Sequence, residues 1–138
     1  MVEITIASYR EEYNRANELA KRIQAFRYEA GIPAQNELRY AGHHFLRAIG
    51  NDGKLADLDQ LTKARNHCRR ACYEAVEAGL AHALNQIAQF KDDFKNTPIT
   101  GTLPDWIDIL SHARAAQKLL GQLNSASMSR RHVTNISL

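Results

Sequence analysis

The chain has little of what marks several large classes of protein. Its 138 residues include only two cysteines, three prolines and one tryptophan. Two cysteines cannot form the dense disulfide framework of a small secreted domain. No apolar run reaches the ~18–20 residues that a membrane-spanning helix needs. Residues 1–6 lack the basic segment and the long apolar segment of a secretory signal. We therefore expect a cytoplasmic protein that does not cross a membrane.

Sequence motifs of the common enzyme classes are also missing. No glycine-rich phosphate loop precedes a predicted helix, and no strand is predicted that would form a nucleotide-binding unit. Neither the G-x-S-x-G pattern of hydrolases nor the H-E-x-x-H pattern of zinc proteases occurs. The sequence therefore favours a non-enzymatic protein and predicts no cofactor and no metal site.

Cys68 and Cys72 are four residues apart in a segment with helical periodicity. At that spacing their Cβ atoms lie ~5–6 Å apart, whereas a disulfide requires ~3.5–4.5 Å. Two thiols on one helix face are half of a tetrahedral metal site, but no second pair of ligands is predicted to converge on them. We expect both cysteines to stay reduced and to pack as small apolar side chains.

The remaining pattern is that of a small all-α protein. Hydrophobic residues make up 44% of the chain and charged residues 24%, and apolar residues recur at helical spacing throughout. We predict an up-down bundle of four main helices, forming a single domain over residues 1–124. Residues 125–138, which are rich in serine and arginine, are predicted to be a flexible basic tail.

Capping and turn residues give the predicted limits of the helices. Ser8 and Glu11 form a capping box that starts the first helix at Tyr9. Gly31 is predicted to end that helix, and Pro33 to open the second, which runs to about Ile49. The third helix is predicted over residues 57–95, with Asp57 as its cap. A linker over residues 97–103 follows, and Pro104 opens the fourth helix.

The predicted third helix is too long for a compact domain of this size. At about 1.5 Å per residue it spans roughly 57 Å, nearly the sum of two of the other helices. Its apolar stripe contains small residues, including Gly79, that allow large side chains such as Tyr13 and Ile23 to approach closely. Its middle is apolar on almost every side, which is typical of a helix covered from several directions. We predict a homodimer formed through this helix; the alternative is a monomeric bundle with a bend at Gly79.

A basic face is predicted where the second and third helices meet. The turn near Asp52 makes the two helices antiparallel neighbours, which places Arg39 opposite Asn66–His67 and His43 opposite Thr62–Lys63. Arginine forks and imidazoles suit a phosphate group or RNA. The alternative is a solvated helix face, because charged faces usually have no ligand. The candidate binding residues are Arg39, His43, Arg47, Lys63, His67 and Arg70. The six histidines, with His82 and His112 beyond this region, are predicted to be scattered and not to form a cluster of three or four ligands.

The segment Arg39-Tyr40-Ala41-Gly42-His43-His44 resembles the motif of HEPN-type ribonucleases, helical proteins in which a histidine follows an arginine by four to six residues. The match runs through Arg39 and His44, and Tyr40 stands where a polar residue often follows the arginine. The resemblance implies metal-independent cleavage of RNA. His43 or His44 would act as general base, and Arg39 would stabilise charge on the phosphate.

The leading functional hypothesis is a small non-enzymatic interaction or regulatory module that is homodimeric through its third helix. The net charge of +3 permits an anionic partner but does not require one. A protein partner, or a nucleic acid bound at the basic face, is compatible with this hypothesis. The HEPN-like ribonuclease or RNA-binding bundle that uses Arg39, His43 and His44 is the alternative.

Overall fold

The computed structural model describes residues 3–134, with the side chains of residues 3–122 and 125. Regular structure in this part of the chain is helical, apart from an isolated bridge between Ile49 and Leu55, and the predicted all-α class is confirmed. The up-down arrangement of a four-helix bundle stays a prediction. The helices are α1 (Ile6–Arg27), α2 (Ile32–Ala48), α3 (Leu58–Asp93), α4 (Ile99–Thr102) and α5 (Trp106–Thr134).

The chain divides into two compact units, Met1–Gly79 and Leu80–Leu138, here called unit 1 and unit 2. Unit 1 contains α1, α2 and the first part of α3, and unit 2 contains the rest of α3 with α4 and α5. Each unit is described by itself. The single domain expected over residues 1–124 stays a prediction.

Helix α1 begins three residues earlier than the sequence predicted. Its N-cap is Thr5, whose Oγ1 accepts a hydrogen bond from the Ser8 backbone N–H at 3.0 Å. The Thr5 backbone N–H donates in return to Ser8 Oγ at 2.9 Å. The expected capping box of Ser8 and Glu11 was therefore wrong, because Ser8 already serves as the third residue of this earlier box.

The break between α1 and α2 was predicted at the right place but with the wrong residue ending α1. Tyr28, rather than Gly31, takes the left-handed conformation after α1, with a φ of 54°. Gly31 instead precedes α2 as its N-cap, and Pro33 lies in the first turn. Proline in the first turn favours a helix that begins directly after Gly31, which leaves this glycine on the α2 side of the break.

Helix α3 begins as predicted and contacts α1 along its small residues. The Asp57 side chain accepts a hydrogen bond from the Gln60 backbone N–H at 3.2 Å, which is the expected cap. Gly79 is buried, and a Cβ atom added to it would lie 2.6 Å from Ile23 Cδ1. The prediction that a large side chain of the first helix fills the space beside a small residue of the third is confirmed at this contact.

Unit 1 has a continuous core between its three helices. Tyr9 of α1 stacks on Phe45 of α2, with ring centroids 5.0 Å apart and planes 9° from parallel. Leu61 and Cys68 are its largest fully buried side chains. Alanines of each helix are completely buried around them, which lets the helix backbones approach closely. These alanines are Ala16, Ala41, Ala48, Ala64 and Ala71.

Unit 2 is centred on Trp106, the residue that opens α5. Its ring lies 5.2 Å from that of Phe90 on α3. The segment predicted as a linker contains the short helix α4. Helix α5 runs on to Thr134, so the predicted tail begins inside a helix, and residues 135–138 of that tail lie outside the described residues. The segment after Ser125 contains no glycine or proline that would end a helix.

Candidate functional site

Helices α2 and α3 bring three histidines of unit 1 together. The rings of His44 and His67 are stacked, with centroids 5.1 Å apart and planes 9° from parallel. The ring of His43 meets that of His44 edge-on at 5.4 Å. The expectation of scattered histidines was wrong for these three, because the rings reach diagonally across the predicted helix register. We call His43, His44 and His67 the histidine group.

Both stacked rings are held through their Nδ1 atoms. His44 Nδ1 lies 2.7 Å from Gln60 Oε1, and His67 Nδ1 lies 2.6 Å from Glu37 Oε2. An amide oxygen and a carboxylate oxygen accept hydrogen bonds, so each Nδ1 carries the proton and donates it. In each neutral ring, Nε2 then has the free lone pair. Among the residues that the structure describes, neither Nε2 has a hydrogen-bond partner.

Arg39 joins the histidine group through an aromatic ring. The Tyr40 ring centroid lies 5.5 Å from that of His67. The Arg39 guanidinium lies over the Tyr40 ring, 5.3 Å from its centroid, which is within cation–π range. Arg39 and His43 are exposed, whereas 17% of the His67 side chain is accessible. The exposed Arg39 guanidinium and the exposed His43 ring therefore lie beside two imidazoles that are half-buried and fixed.

The other candidate binding residues form no hydrogen bond or ion pair with this group in the described structure. Lys63 forms an ion pair with Asp59 one turn earlier in α3, at 3.2 Å, and both side chains are at least half exposed. Arg47 and Arg70 are also exposed. In the part of the chain that the structure describes, no hydrogen bond, ion pair or ring contact joins Arg47, Lys63 or Arg70 to the histidine group. The Lys63 pair fits the alternative interpretation of a solvated face.

Glu37 and Gln60, which hold the histidine rings, were missed by the sequence analysis. The predicted register of α2 and α3 contained a partial signal for both, because Glu37 and Gln60 are within one or two residues of the positions that it places opposite His67 and His44. Within the described residues, no group of three or more histidine, cysteine, aspartate or glutamate side chains could hold a metal ion. The arrangement is suited to hydrogen bonding and proton transfer.

A second polar cluster lies between α1 and α3. Arg69 donates from Nε and Nη2 to Glu12 Oε1, at 3.2 and 3.0 Å. Cavities of about 280 and 340 Å³ border this ion pair, and both include Arg15. Glu12 Oε2 and Arg65 Nε are buried without a hydrogen-bond partner in the described structure. Both acidic and basic side chains line these cavities, so the cluster favours neither an anion nor a cation.

The two cysteines pack between α1 and α3, as predicted. Both are free, and Cys68 is fully buried. Burial raises the pKa of the Cys68 thiol to about 11, although the neighbouring Tyr9 hydroxyl opposes part of that rise. Burial also raises the pKa of Cys72. Thiols with raised pKa values are mostly protonated near neutral pH, which is the opposite of what a nucleophilic cysteine requires.

Comparisons with known proteins give no relative for this chain: no family model, curated protein or solved structure matches it. Among the described helices, none combines the length and apolar character needed to span a membrane.

Proposed function

We propose that the chain is a small helical interaction module that forms a homodimer through unit 2. The second half of α3 and the facing side of α5 would form the interface. Of the described hydrophobic side chains in unit 2, Trp106 alone is buried. This single observation carries the proposal, because a compact unit gains most of its stability from buried apolar surface.

The second half of α3 and helix α5 each have a stripe of half-buried apolar positions. Other residues of unit 2 cover part of such a stripe, and the rest is open to solvent. This is the exposure expected of a helix face against which a further helix packs. None of its positions is charged. On α3 they are Leu80, Ala83, Leu84, Ile87 and Phe90, and on α5 they are Ile109, Leu110, Ala113, Ala116 and Leu120.

A second copy of the chain is the occupant that fits this stripe. An uncharged, apolar face is complementary to itself, and a two-fold axis places identical faces together in a closed assembly. Large exposed side chains border the stripe on α5, where Leu119 is 49% and Ile107 67% accessible. A cytoplasmic location belongs to the same proposal, and it is supported by the two free cysteines.

The dimer is tested by measuring molar mass with light scattering at tens of micromolar protein. The native chain is expected to give twice the 15.6 kDa of one chain. Leu119→Glu places a charge beside the stripe and is expected to give the mass of one chain. Leu46→Glu is the matched control, because Leu46 is 73% exposed on α2 in unit 1 and should leave the dimer intact.

A monomeric mass for the native chain at these concentrations contradicts the homodimer. A dimer that persists in Leu119→Glu but dissociates in Leu46→Glu contradicts the assignment of the interface to unit 2. Circular dichroism of each variant shows whether its helices are retained, which separates dissociation from unfolding.

The second candidate function is binding of RNA, or of another phosphate-bearing ligand, at the histidine group. The observation that favours it is the arrangement of Arg39 over Tyr40 beside the rings of His67 and His44. Guanidinium and imidazole donors suit phosphate oxygens, and exposed aromatic rings suit stacked bases. The ribonuclease hypothesis for Arg39, His43 and His44 belongs to this candidate, as does binding by Arg47, Lys63, His67 and Arg70.

Fluorescence anisotropy with a labelled single-stranded RNA tests this second candidate. Affinity is expected to fall steeply as salt is raised, because bound phosphates release counterions. Arg39→Gln is expected to weaken binding, while Arg114→Gln on α5 should not change it. Salt-independent binding, or equal affinity in both variants, contradicts an RNA interface at the histidine group. A protein partner held at an apolar face would be insensitive to salt.

A further inference from the structure

Unit 2 contains a cavity of about 300 Å³ where α3 ends and α5 begins. Its lining comes from the last turn of α3, from the residues that follow it, from α4 and from Trp106. No lining residue belongs to the histidine group or to the half-buried stripe of unit 2. The cavity is therefore separate from both surfaces considered so far.

Backbone hydrogen bonds hold the segments that form this cavity. The Thr97 N–H donates to the Phe94 carbonyl oxygen at 3.0 Å, which closes the turn after α3. The Leu103 N–H donates to the Ile99 carbonyl oxygen at 2.8 Å, and the Trp106 N–H donates to that of Leu103 at 3.1 Å. A site formed by hydrogen-bonded turns needs little ordering when a ligand binds, which favours affinity.

The apolar part of the lining is mainly aromatic. Trp106 is buried, whereas Phe94 is 43% accessible. The ring of Phe90 supports both, because its centroid lies 4.8 Å from that of Phe94 and 5.2 Å from that of Trp106. Ile99 adds an aliphatic side chain. Such a lining suits a flat aromatic ring, which pairs with other rings edge-on or with an offset.

The polar part of the lining favours a negative charge. Lys91 and Lys95 line the cavity, and within the described residues no acidic side chain does. The Lys95 Nζ lies 4.0 Å from Asp92 Oδ1, a long and exposed ion pair that contributes little. Thr97 and Thr100 also line the cavity, and their hydroxyl groups can donate to an anionic oxygen.

We propose that this cavity binds a small aromatic carboxylate. Its ring would lie against Phe94 and Trp106, and its carboxylate would face Lys91 and Lys95. Charge complementarity supports the carboxylate, and the aromatic lining supports the ring. A volume near 300 Å³ is at the lower end for ligand pockets, which suits a molecule of one or two rings. The proposal requires neither RNA binding nor a second copy of the chain.

Titration of the full-length protein with four small compounds tests this site. Trp106 is the only tryptophan, so its fluorescence reports on the cavity. Benzoate is expected to change the emission and to saturate. Benzyl alcohol lacks the charge, acetate lacks the ring and benzylammonium reverses the charge, so each should bind at least about threefold more weakly. Saturation-transfer NMR with the same compounds detects binding without relying on Trp106 emission.

Variants of the lining separate the two parts of the recognition. The double variant Lys91→Gln/Lys95→Gln should weaken benzoate binding about three- to tenfold and leave benzyl alcohol unaffected, because only the charge is lost. Phe94→Ala should weaken both compounds about three- to tenfold, because it removes a ring from the lining. Lys118→Gln is the matched control, because Lys118 is an exposed lysine of α5 that does not line the cavity.

Three results would overturn the proposed site. The first is no binding of benzoate by either method, and the second is equal affinity for benzoate and either benzyl alcohol or acetate. The third is an equal loss of benzoate affinity in Lys118→Gln and in the double lysine variant. Circular dichroism shows whether each variant keeps its helices. If a variant does not fold, the comparison of the four compounds on the native chain still decides the proposal.

Discussion

Units 1 and 2 are both helical, but they bury their apolar residues to different extents. Every described hydrophobic side chain that is buried lies in unit 1, with the exception of Trp106. In unit 1, completely buried alanines on α1, α2 and α3 let three helices close around Leu61 and Cys68. In unit 2, the corresponding stripes stay half-buried.

The difference shows that helix formation and core formation are separate requirements. Periodic apolar residues suffice to predict a helix in both units. Stability requires the stripe to be covered, because fully burying a large apolar side chain contributes about 1.5–3 kcal/mol. In unit 1, the three helices bury one another's apolar stripes. In unit 2, we propose that a second copy of the chain covers them. The following predictions test the two halves of this comparison.

The largest expected effect is from Leu61→Ala, which removes a fully buried side chain from the core of unit 1. The loss of apolar contacts and the remaining cavity should lower the free energy of unfolding by about 2–5 kcal/mol. Leu46→Ala, at an exposed position of α2, should change it by less than about 0.5 kcal/mol. Urea unfolding followed by circular dichroism measures both. Equal effects would show that unit 1 has no dominant core.

The next effect is a loss of stability in alkaline solution. The Cys68 pKa is raised by burial from 9.0 to about 11, so the folded state holds this proton more tightly than the unfolded state. The contribution of this proton to the free energy of unfolding is fully present below pH 9, and roughly 2–3 kcal/mol should be lost as the pH rises through 11. Burial also raises the pKa of Tyr9, which acts in the same direction. The free energy of unfolding, measured from pH 8 to 11, should fall less steeply with pH in Cys68→Ala than in the native chain. An identical slope in the two proteins would contradict burial of the thiol.

Substitutions of Gly79 test its close contact with Ile23 in unit 1. Leucine at this position cannot fit beside Ile23 and should destabilise the protein by about 1–3 kcal/mol. The Cβ of alanine is too close only to the flexible Cδ1 end of Ile23, at 2.6 Å, and makes ordinary contacts with Cγ1 and Cγ2. The better helix propensity of alanine offsets the close contact, so the net effect should be below about 1 kcal/mol. Thermal unfolding compares the two variants. If Gly79→Leu is as stable as the native chain, the claim that Ile23 leaves no room for a larger side chain at position 79 is wrong.

The smallest effect is expected on the exposed face of α3. Lys63→Ala removes the ion pair with Asp59, which should cost less than about 0.5 kcal/mol because both groups are solvated. A larger decrease in the free energy of unfolding, measured with urea, would mean that this face stabilises the fold of unit 1. Reduced RNA affinity with unchanged stability would instead place Lys63 in the proposed interface.

Local sequence patterns predicted the helices well and their capping less well. Asp57 was identified as a cap because its side chain acts within one turn. Thr5 was missed because two overlapping capping boxes share Ser8, and sequence alone does not choose between them. The extension of α5 to Thr134 was also missed, because polar residues near the chain end resemble a tail although they permit a helix.

The candidate site was predicted in part. The antiparallel register placed Arg39 near His67, and the two are linked through Tyr40. The stacking of His44 on His67 was not predicted, because it depends on side-chain rotamers that bring rings together diagonally. The half-exposed stripes of unit 2 were suggested by the excess length of the third helix, but sequence periodicity carries no information on which chain covers them.

The most direct test of the account follows the fluorescence of Trp106 during urea unfolding. Trp106 is the only tryptophan in the sequence and lies against Phe90, so its emission reports on unit 2. If a second chain completes unit 2, the midpoint should rise with protein concentration, because unfolding is then coupled to dissociation. Raising the concentration from about 1 to 100 μM should stabilise the unit by about 2.7 kcal/mol per mole of dimer. A midpoint that is the same at both concentrations contradicts the proposal that a second copy covers unit 2.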